Sequence, residues 1–280
     1  MMEIERLLNF GILNLDKPSG PTSFKVSQYV KDLLGVRKTS HAGTLDPKVT
    51  GVLPVLLGRA CRLFDYFTRS DKEYVGVMHL HSPTTLDELN SAIQKFVGKI
   101  VQVPPRKSAV RRAARERLVK SFEVLEFNEK SNDVLFLTRV QAGTYIRKLV
   151  HDIGEQIGGA HMTSLRRTKA SIFTENDENF ANLYQLERAA QKFKQGNPEE
   201  LMKLIVPAEE AIQKVLPRVE LSARNLKQIL TGKPLRREDL NQNISALPEE
   251  FAAFCNGKFV GTYRAVDEQD FVARPEFVYN

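Results

Sequence analysis

The chain has 280 residues, 42% of them hydrophobic and 27% charged, with 16 Gly, 13 Pro and no Trp, a usage close to that of ordinary globular domains and unlike disordered or fibrous chains. Cys61 and Cys255 are its 2 cysteines; with no Cys-x-x-Cys spacing they exclude a disulfide framework or thiolate zinc site and fit a reducing, cytoplasmic compartment. The net charge of +7 is uneven: residues 1–174 carry +10, residues 175–217 carry −3, and residues 218–280 balance.

Met1 to Phe10 carries Glu3, Glu5 and Arg6, so no signal peptide is expected. Apolar runs such as Val52 to Leu57 fall well short of the roughly 20 residues of a membrane-spanning helix, and no membrane partner is expected. Thr22 is placed to cap a helix with Val26, Tyr29, Val30, Leu33 and Leu34 inward and Gly35 as its stop. Tyr74 to Leu80 reads as a strand. Thr85-Leu86-Asp87-Glu88 reads as a capping box that opens a helix with Leu89, Ile93, Phe96 and Val97 inward, ended by Gly98. Leu118 to Phe127 and Val134 to Ala142 form an expected hairpin across the polar turn Glu129 to Asp133. Thr144 is expected to begin a third helix, with Ile146, Leu149, Val150, Ile153 and Ile157 on one face, Arg147 and His151 on the other, and Gly158-Gly159 at its end. Strands and helices therefore mix without a regular βαβ rhythm, as in an α+β fold.

Residues 175–217 turn acidic and helical, in Leu183 to Phe193 and Glu199 to Leu216, with interruptions at Gly196-Asn197-Pro198 and Pro207. Pro217 marks a break, which predicts a division into residues 1–216 and 217–280. Beyond it the short runs Val219 to Leu221, Phe251 to Phe254, Lys258 to Tyr263, Phe271 to Ala273 and Phe277 to Tyr279 alternate with turn residues, as in a small β-barrel. No internal repeat is visible.

Two segments stand out chemically. Arg106 to Lys120 holds seven basic side chains, including Arg111, Arg112 and Arg115, against one acid; such a run suits phosphate gripping as well as a plain solvated loop. Ser40 to Pro54 is rich in Gly, Pro and Thr and carries one carboxylate, Asp46, beside His41. Loops of this kind position reactive groups, although Asp-Pro alone is a common turn opener. No Walker A loop, no Gly-x-Gly-x-x-Gly after a strand and no metal-ligand spacing among the five His appears, so no cofactor and no metal are expected.

Taken together, Gly11 to Ser23 (GILNLDKPSGPTS), His41 to Pro47 (HAGTLDP), Lys72-Glu73-Tyr74, Gly143 to Arg147 (GTYIR) and Leu165 to Thr168 (LRRT) resemble the TruB/dyskerin family of RNA pseudouridine synthases. Five motifs in the family order span about 160 residues. The resemblance implies a pseudouridine synthase fold, with a mixed, mostly antiparallel central sheet flanked by helices; separately, the C-terminal segment with Asn256 to Gly261 (NGKFVG) resembles a small PUA-like RNA-binding barrel. The family resemblance implies Asp46 as the catalytic aspartate, Tyr74 as the aromatic that stacks on the target uracil and Arg147 as the partner of Asp46. Leu165 would pack against the flipped base, His41 would contact the displaced nucleotide, and Tyr145 would join the substrate-binding set with Arg111, Arg112 and Arg115.

The chemistry fits those assignments. Pseudouridine formation breaks the bond from C1′ to N1, turns the uracil and joins C1′ to C5, so atoms are conserved. One carboxylate can attack the ribose or the base, or remove a ribose proton. Extruding the base costs a few kcal/mol, which an aromatic platform and a phosphate-gripping surface offset. Val103 to Val110 and Gly159 to Met162 resemble the archaeal and eukaryotic branch, which implies tRNA, through its T-loop uridine, and guide-selected rRNA uridines as substrates. Box H/ACA guide RNA and small ribonucleoprotein subunits are the partners implied. The short C-terminus looks more like that of stand-alone tRNA enzymes. A non-catalytic RNA-binding subunit is the competing reading, and a glycoside hydrolase would need a second carboxylate near the first.

Overall fold

In the computed structural model, residues 2–104, 113–241 and 246–280 are described. Helix α1 (Met2–Asn9) leads into β1 (Gly11–Lys17), which is buried throughout except at half-buried Asp16. Helix α2 (Ser23–Leu34) is closed as the sequence predicts: the Thr22 side chain accepts from the Lys25 amide, and Gly35 adopts the left-handed conformation. Its buried stripe is Ser23, Val26, Ser27, Val30 and Leu34. Tyr29, expected inward, lies beside that stripe at 37% exposure, where its hydroxyl meets Glu187.

Strands β2 (Thr39–His41) and β3 (Thr50–Leu57) pair antiparallel and flank the loop that carries Asp46. A 3-10 turn (Gly58–Leu63) and α3 (Phe64–Thr68) precede β4 (Lys72–Leu80), whose burial alternates strictly along its length. The capping box at Thr85 and Glu88 forms and opens α4 (Leu86–Gln94). There follow β5 (Gly98–Gln102), β6 (Arg115–Asn128), β7 (Asp133–Val140), α5 (Ile146–Gly154) and β8 (Ala160–Ala170). Helix α5 starts two residues later than expected, because the Thr144 hydroxyl turns back to the Gln141 carbonyl at 2.8 Å and Tyr145 takes the capping position. It also ends earlier, at Gly154, whose carbonyl accepts from the Gly159 amide at 2.8 Å.

Strands β9 (Phe173–Thr174) and β10 (Phe180–Asn182) lead to α6 (Leu183–Lys194) and α7 (Glu199–Leu204). The helical stretch expected from Glu199 to Leu216, with its interruption at Pro207, breaks two residues earlier than that proline. Ile205–Pro207 forms β11 against β1, because pairing with a buried strand end outweighs the local helical pattern, and α8 (Ala208–Ile212) resumes after it. The main sheet runs β10-β1-β3-β8-β4-β7-β6-β5, with β11, β2 and β9 attached to β1, β3 and β8. Its parallel pairs are β1 with β10 and β3 with β8; all other neighbours are antiparallel. The α+β class and the mixed, mostly antiparallel sheet are as expected.

The C-terminal region holds β12 (Arg218–Glu220), the short helix α9 (Leu226–Ile229), β13 (Glu250–Cys255), β14 (Lys258–Ala265) and β15 (Ala273–Val278). The strands form a second sheet in that order rather than a closed barrel. Between β12 and β13 the described chain has only short helical turns and two single bridges, Leu221 with Leu240 and Leu235 with Ala273, so no fifth strand joins the edges there. Phe10 stacks on Tyr279 at 4.1 Å and on Phe259 at 5.5 Å, seating this sheet against the end of α1. Among the described residues no helix is long and apolar enough to cross a membrane.

Candidate active site

The site is built on the connection from β2 to β3. Ser23, at the start of α2, holds that loop from below: its hydroxyl accepts from the Leu45 amide at 2.8 Å and donates to the Leu45 carbonyl at 3.1 Å. Lys17, at the end of β1 and fully buried, donates to the carbonyls of Pro18 (2.8 Å), Pro47 (3.0 Å) and Val49 (2.8 Å). Burial lowers its pKa; Asp46 works against that shift and Arg167 adds to it. On leaving the loop the chain passes Gly51, at φ +99°, where it pairs with Arg167 of β8. A side chain there would meet the Arg167 carbonyl oxygen at 2.2 Å, so both conformation and contact require glycine.

Asp46 projects from this loop toward α5. Arg147, the second residue of that helix, donates from Nη2 to Asp46 Oδ2 at 2.6 Å, and the two side chains are 59% and 55% exposed. Two motifs 101 positions apart are thereby joined in an open, solvated pair. The start of α5 is fixed from two sides. The Gln102 amide donates to the Tyr145 carbonyl at 3.2 Å and accepts from the Tyr145 amide at 3.0 Å, while Arg117 donates to the Gly143 carbonyl at 3.1 Å.

Tyr74 and Leu165 lie on one face of the β4–β8 pair, where Tyr74 is opposite Arg167 and Gly76 opposite Leu165. Gly76 makes the room: a Cβ there would approach the Phe136 ring to 2.5 Å and Leu165 Cδ1 to 2.9 Å. Both side chains are buried in one apolar cluster with Leu45, Val49 and Ile146. His41 sits on the other flank of the loop, its Nε2 3.3 Å from Thr44 Oγ1. Burial, reinforced by the Arg167 charge, pushes its pKa down, favouring the neutral ring. Beside His41 opens a groove of about 460 Å³ whose walls include Phe24, Lys31, Arg37 and Lys38.

Arg115 opens β6 as the cross-strand neighbour of Gln102, close to the start of α5. Arg111 and Arg112 lie outside the described residues. Asp16, the other acid of the sequence motifs, is held by Arg166 through two bonds of 3.0 and 3.1 Å, a structural pairing.

Four features were missed at the sequence level. Lys17 and Arg167 are charged yet fully enclosed, and Lys72 is 6% exposed with its ammonium on the Thr68 and Ser70 carbonyls. Burial, with the Arg167 charge, lowers the Lys72 pKa to about 8. A signal for two of them existed: Arg167 shares the phase of Leu165 along β8, and Lys17 that of the buried Leu13 and Leu15 along β1. The fourth feature is on the face of β4 away from Tyr74, where pairing gathers His79, His81 and His161, with His81 Nε2 2.8 Å from His161 Nδ1. Among the described residues no group of three or more His, Cys, Asp or Glu is arranged to hold a metal ion.

Comparison with known proteins gives a consistent result. Residues 31–146 match the profile of the TruB family pseudouridylate synthase N-terminal domain, and residues 147–213 match the tRNA pseudouridylate synthase B C-terminal domain. A probable tRNA pseudouridine synthase B of Nanoarchaeum equitans is 46% identical over 212 residues, covering 75% of this chain and 60% of the relative. Its counterpart in Methanothermobacter thermautotrophicus is 43% identical over 248 residues, covering 87% of this chain and 75% of that protein. Among solved structures, a chain of a Cbf5-Nop10-Gar1 complex superposes with TM-score 0.87 at 37% identity, over 99% of this chain and 86% of the other. A chain of an H/ACA ribonucleoprotein bound to a substrate RNA containing 2′-deoxyuridine gives TM-score 0.87 at 35% identity, over 99% and 87%.

Proposed function

The chain belongs to the TruB family of pseudouridylate synthases, which isomerise uridine to pseudouridine in RNA, and we propose that it carries out this reaction through Asp46, with Arg147 holding that carboxylate and Tyr74 and Leu165 seating the uracil. The observation that carries the reading is the 2.6 Å contact between Arg147 and Asp46, whose chain neighbours Ile146 and Leu45 belong to the apolar cluster that contains Tyr74 and Leu165. In the isomerisation C1′–N1 breaks and C1′–C5 forms; the hydrogen on C5 is lost and N1 gains one. Asp46 needs no change of oxidation state and no second carboxylate to take part. An arginine at the carboxylate fixes its direction, and an apolar, aromatic floor accepts a base taken out of its stack. His41 and Tyr145 flank the loop and the start of α5 and complete the substrate-binding set, and Arg115, with Arg111 and Arg112, grips RNA phosphates.

The substrates are the T-loop uridine of tRNA and, with a guide RNA and small protein subunits, selected uridines of rRNA. The names of the archaeal relatives support the first, and the complexes formed by the structural neighbours support the second. Residues 1–216 form the catalytic unit and residues 217–280 a PUA-like RNA-binding unit, a division supported by the second sheet beginning at Arg218. The protein works in the cytoplasm.

Asp46→Asn keeps the size of the side chain and removes its charge. It is expected to abolish pseudouridine formation on unmodified tRNA transcript while RNA affinity stays within about threefold. Measurable turnover by this variant would remove Asp46 from its role. The same assay with the full chain and bare transcript, without guide RNA or partner proteins, tests the stand-alone half of the substrate reading: no product would leave only the guided half.

A further inference from the structure

Among the described residues Arg167 is the largest fully buried side chain, at 1% exposure. A buried guanidinium is ordinarily matched by a carboxylate, since its desolvation is costly. Here Nε donates to the Val52 carbonyl at 2.8 Å and Nη2 to the Gly43 carbonyl at 2.9 Å, and Tyr74 stands opposite Arg167 across the β4–β8 pair with its hydroxyl toward the guanidinium. Its three partners come from β3, from the Asp46 loop and from β4. A fork of five N–H donors in one plane suits such a junction, and a lysine cannot reproduce it.

Arginine has no acceptor, so toward Arg167 the Tyr74 oxygen can only accept, and its hydrogen is left for another acceptor. The Gly43 and Val52 carbonyls fix the guanidinium, and the guanidinium in turn fixes the ring and hydroxyl of Tyr74. We propose that Arg167 is a positioning residue for uridine isomerisation, acting through Tyr74: it holds the aromatic platform in register with the Asp46 loop and orients its hydroxyl toward the substrate. This rests on the reading of Asp46 and Tyr74 given above. The Arg167 charge is also felt across the floor of the site, by Lys17, His41 and Lys72, so it adds a fixed positive potential where a departing base gains electron density.

Arg167→Lys in the full chain keeps the charge and loses the fork. It is expected to lower kcat by about 10- to 100-fold, the scale of a small misplacement at a reacting centre, while KM for tRNA transcript stays within about threefold. A second readout does not depend on activity. With tyrosine labelled by 13C at Cζ, and the Tyr74 signal assigned by its loss in Tyr74→Phe, Arg167→Lys is expected to shift that resonance while the signals of the other six tyrosines stay in place. Turnover at the wild-type rate would overturn the proposal. So would a fall in turnover with the Tyr74 resonance unmoved, or a general collapse of the tyrosine spectrum, since either assigns Arg167 to loop or fold integrity alone. An inactive wild-type protein would instead refute the functional reading, and the resonance shift would remain readable.

Discussion

Arg147 and Arg167 both bring a guanidinium to the loop that carries Asp46, one with a 59% exposed side chain and a carboxylate partner, the other enclosed and bonded to backbone carbonyls. Lys17 and Lys72 behave like Arg167, each holding carbonyls from beneath the surface. The contrast separates two uses of positive charge. A solvated ion pair contributes little to stability, because water already solvates both partners, and it stays available to a substrate. A buried cation on carbonyls shapes the backbone, and its loss leaves those carbonyls without a donor.

The sharpest test of that contrast is Arg147→Ala. Its turnover is expected to fall by about 100- to 1000-fold, as when a single electrostatic contact to a reacting centre is removed. Stability in urea is expected to change by less than about 1 kcal/mol. Near wild-type turnover would break the pairing assigned to Asp46. Lys17→Met should give the opposite pattern, a loss of about 2 kcal/mol in urea unfolding from three carbonyls that lose their donor. Unchanged or raised stability would show that desolvation of the ammonium outweighs those bonds, and the division between the two kinds of cation would need redrawing.

Legibility in the sequence followed the same division. Elements set by neighbouring residues were readable: α2 between Thr22 and Gly35, the capping box at Thr85 and Glu88, the strand through Tyr74. Elements set by distant partners were not. Ile205-Val206 continues a helical pattern up to the interruption at Pro207, yet β1 captures all three residues as a strand. The runs at Val219, Phe251 and Lys258 were recognisable as strands, but those at Phe271 and Phe277 meet in the single strand β15, and whether the strands close depends on the path of residues 222–241, which takes short turns and isolated bridges. In the site, Asp46, Tyr74, Arg147 and Leu165 were singled out by the resemblance of several motifs to the TruB/dyskerin family, and the fold brings Asp46 to Arg147 and Tyr74 to the face of Leu165. Arg167 and Lys17 were passed over because isolated basic residues are by default surface residues.

Lys72 sharpens the comparison through pH. Burial lowers its pKa in the folded protein to about 8, from the ordinary lysine value of 10.5. Below pH 8 both folded and unfolded chains hold the proton, and the folded state bears the full penalty of a buried charge. Between pH 8 and 10.5 the unfolded chain binds more protons, so stability relative to Lys72→Met is expected to rise with pH across this window and to level off above it. Urea midpoints of the two proteins at pH 7, 9 and 10.5 read the difference directly. A flat difference would mean that Lys72 reaches water in solution and belongs with Arg147 rather than with Arg167.

The smallest effect is expected at Arg115, a cation with no place in either set so far. It is half-buried at the start of β6, opposite the Gln102 that clamps Tyr145, and two residues before the Arg117 that holds Gly143. This puts it beside the entrance to the site, at the described end of the most basic stretch of the chain. If it contacts one RNA phosphate, Arg115→Ala removes one set of released counterions. The slope of log affinity against log salt should then become shallower by about 0.7 to 0.9, with a modest loss of affinity at low salt. Turnover at saturating RNA should be unchanged, since the contact is made before and after the chemical step alike. An unaltered slope would place Arg115 with the backbone-holding cations, as a neighbour of Gln102 and not a contact to RNA.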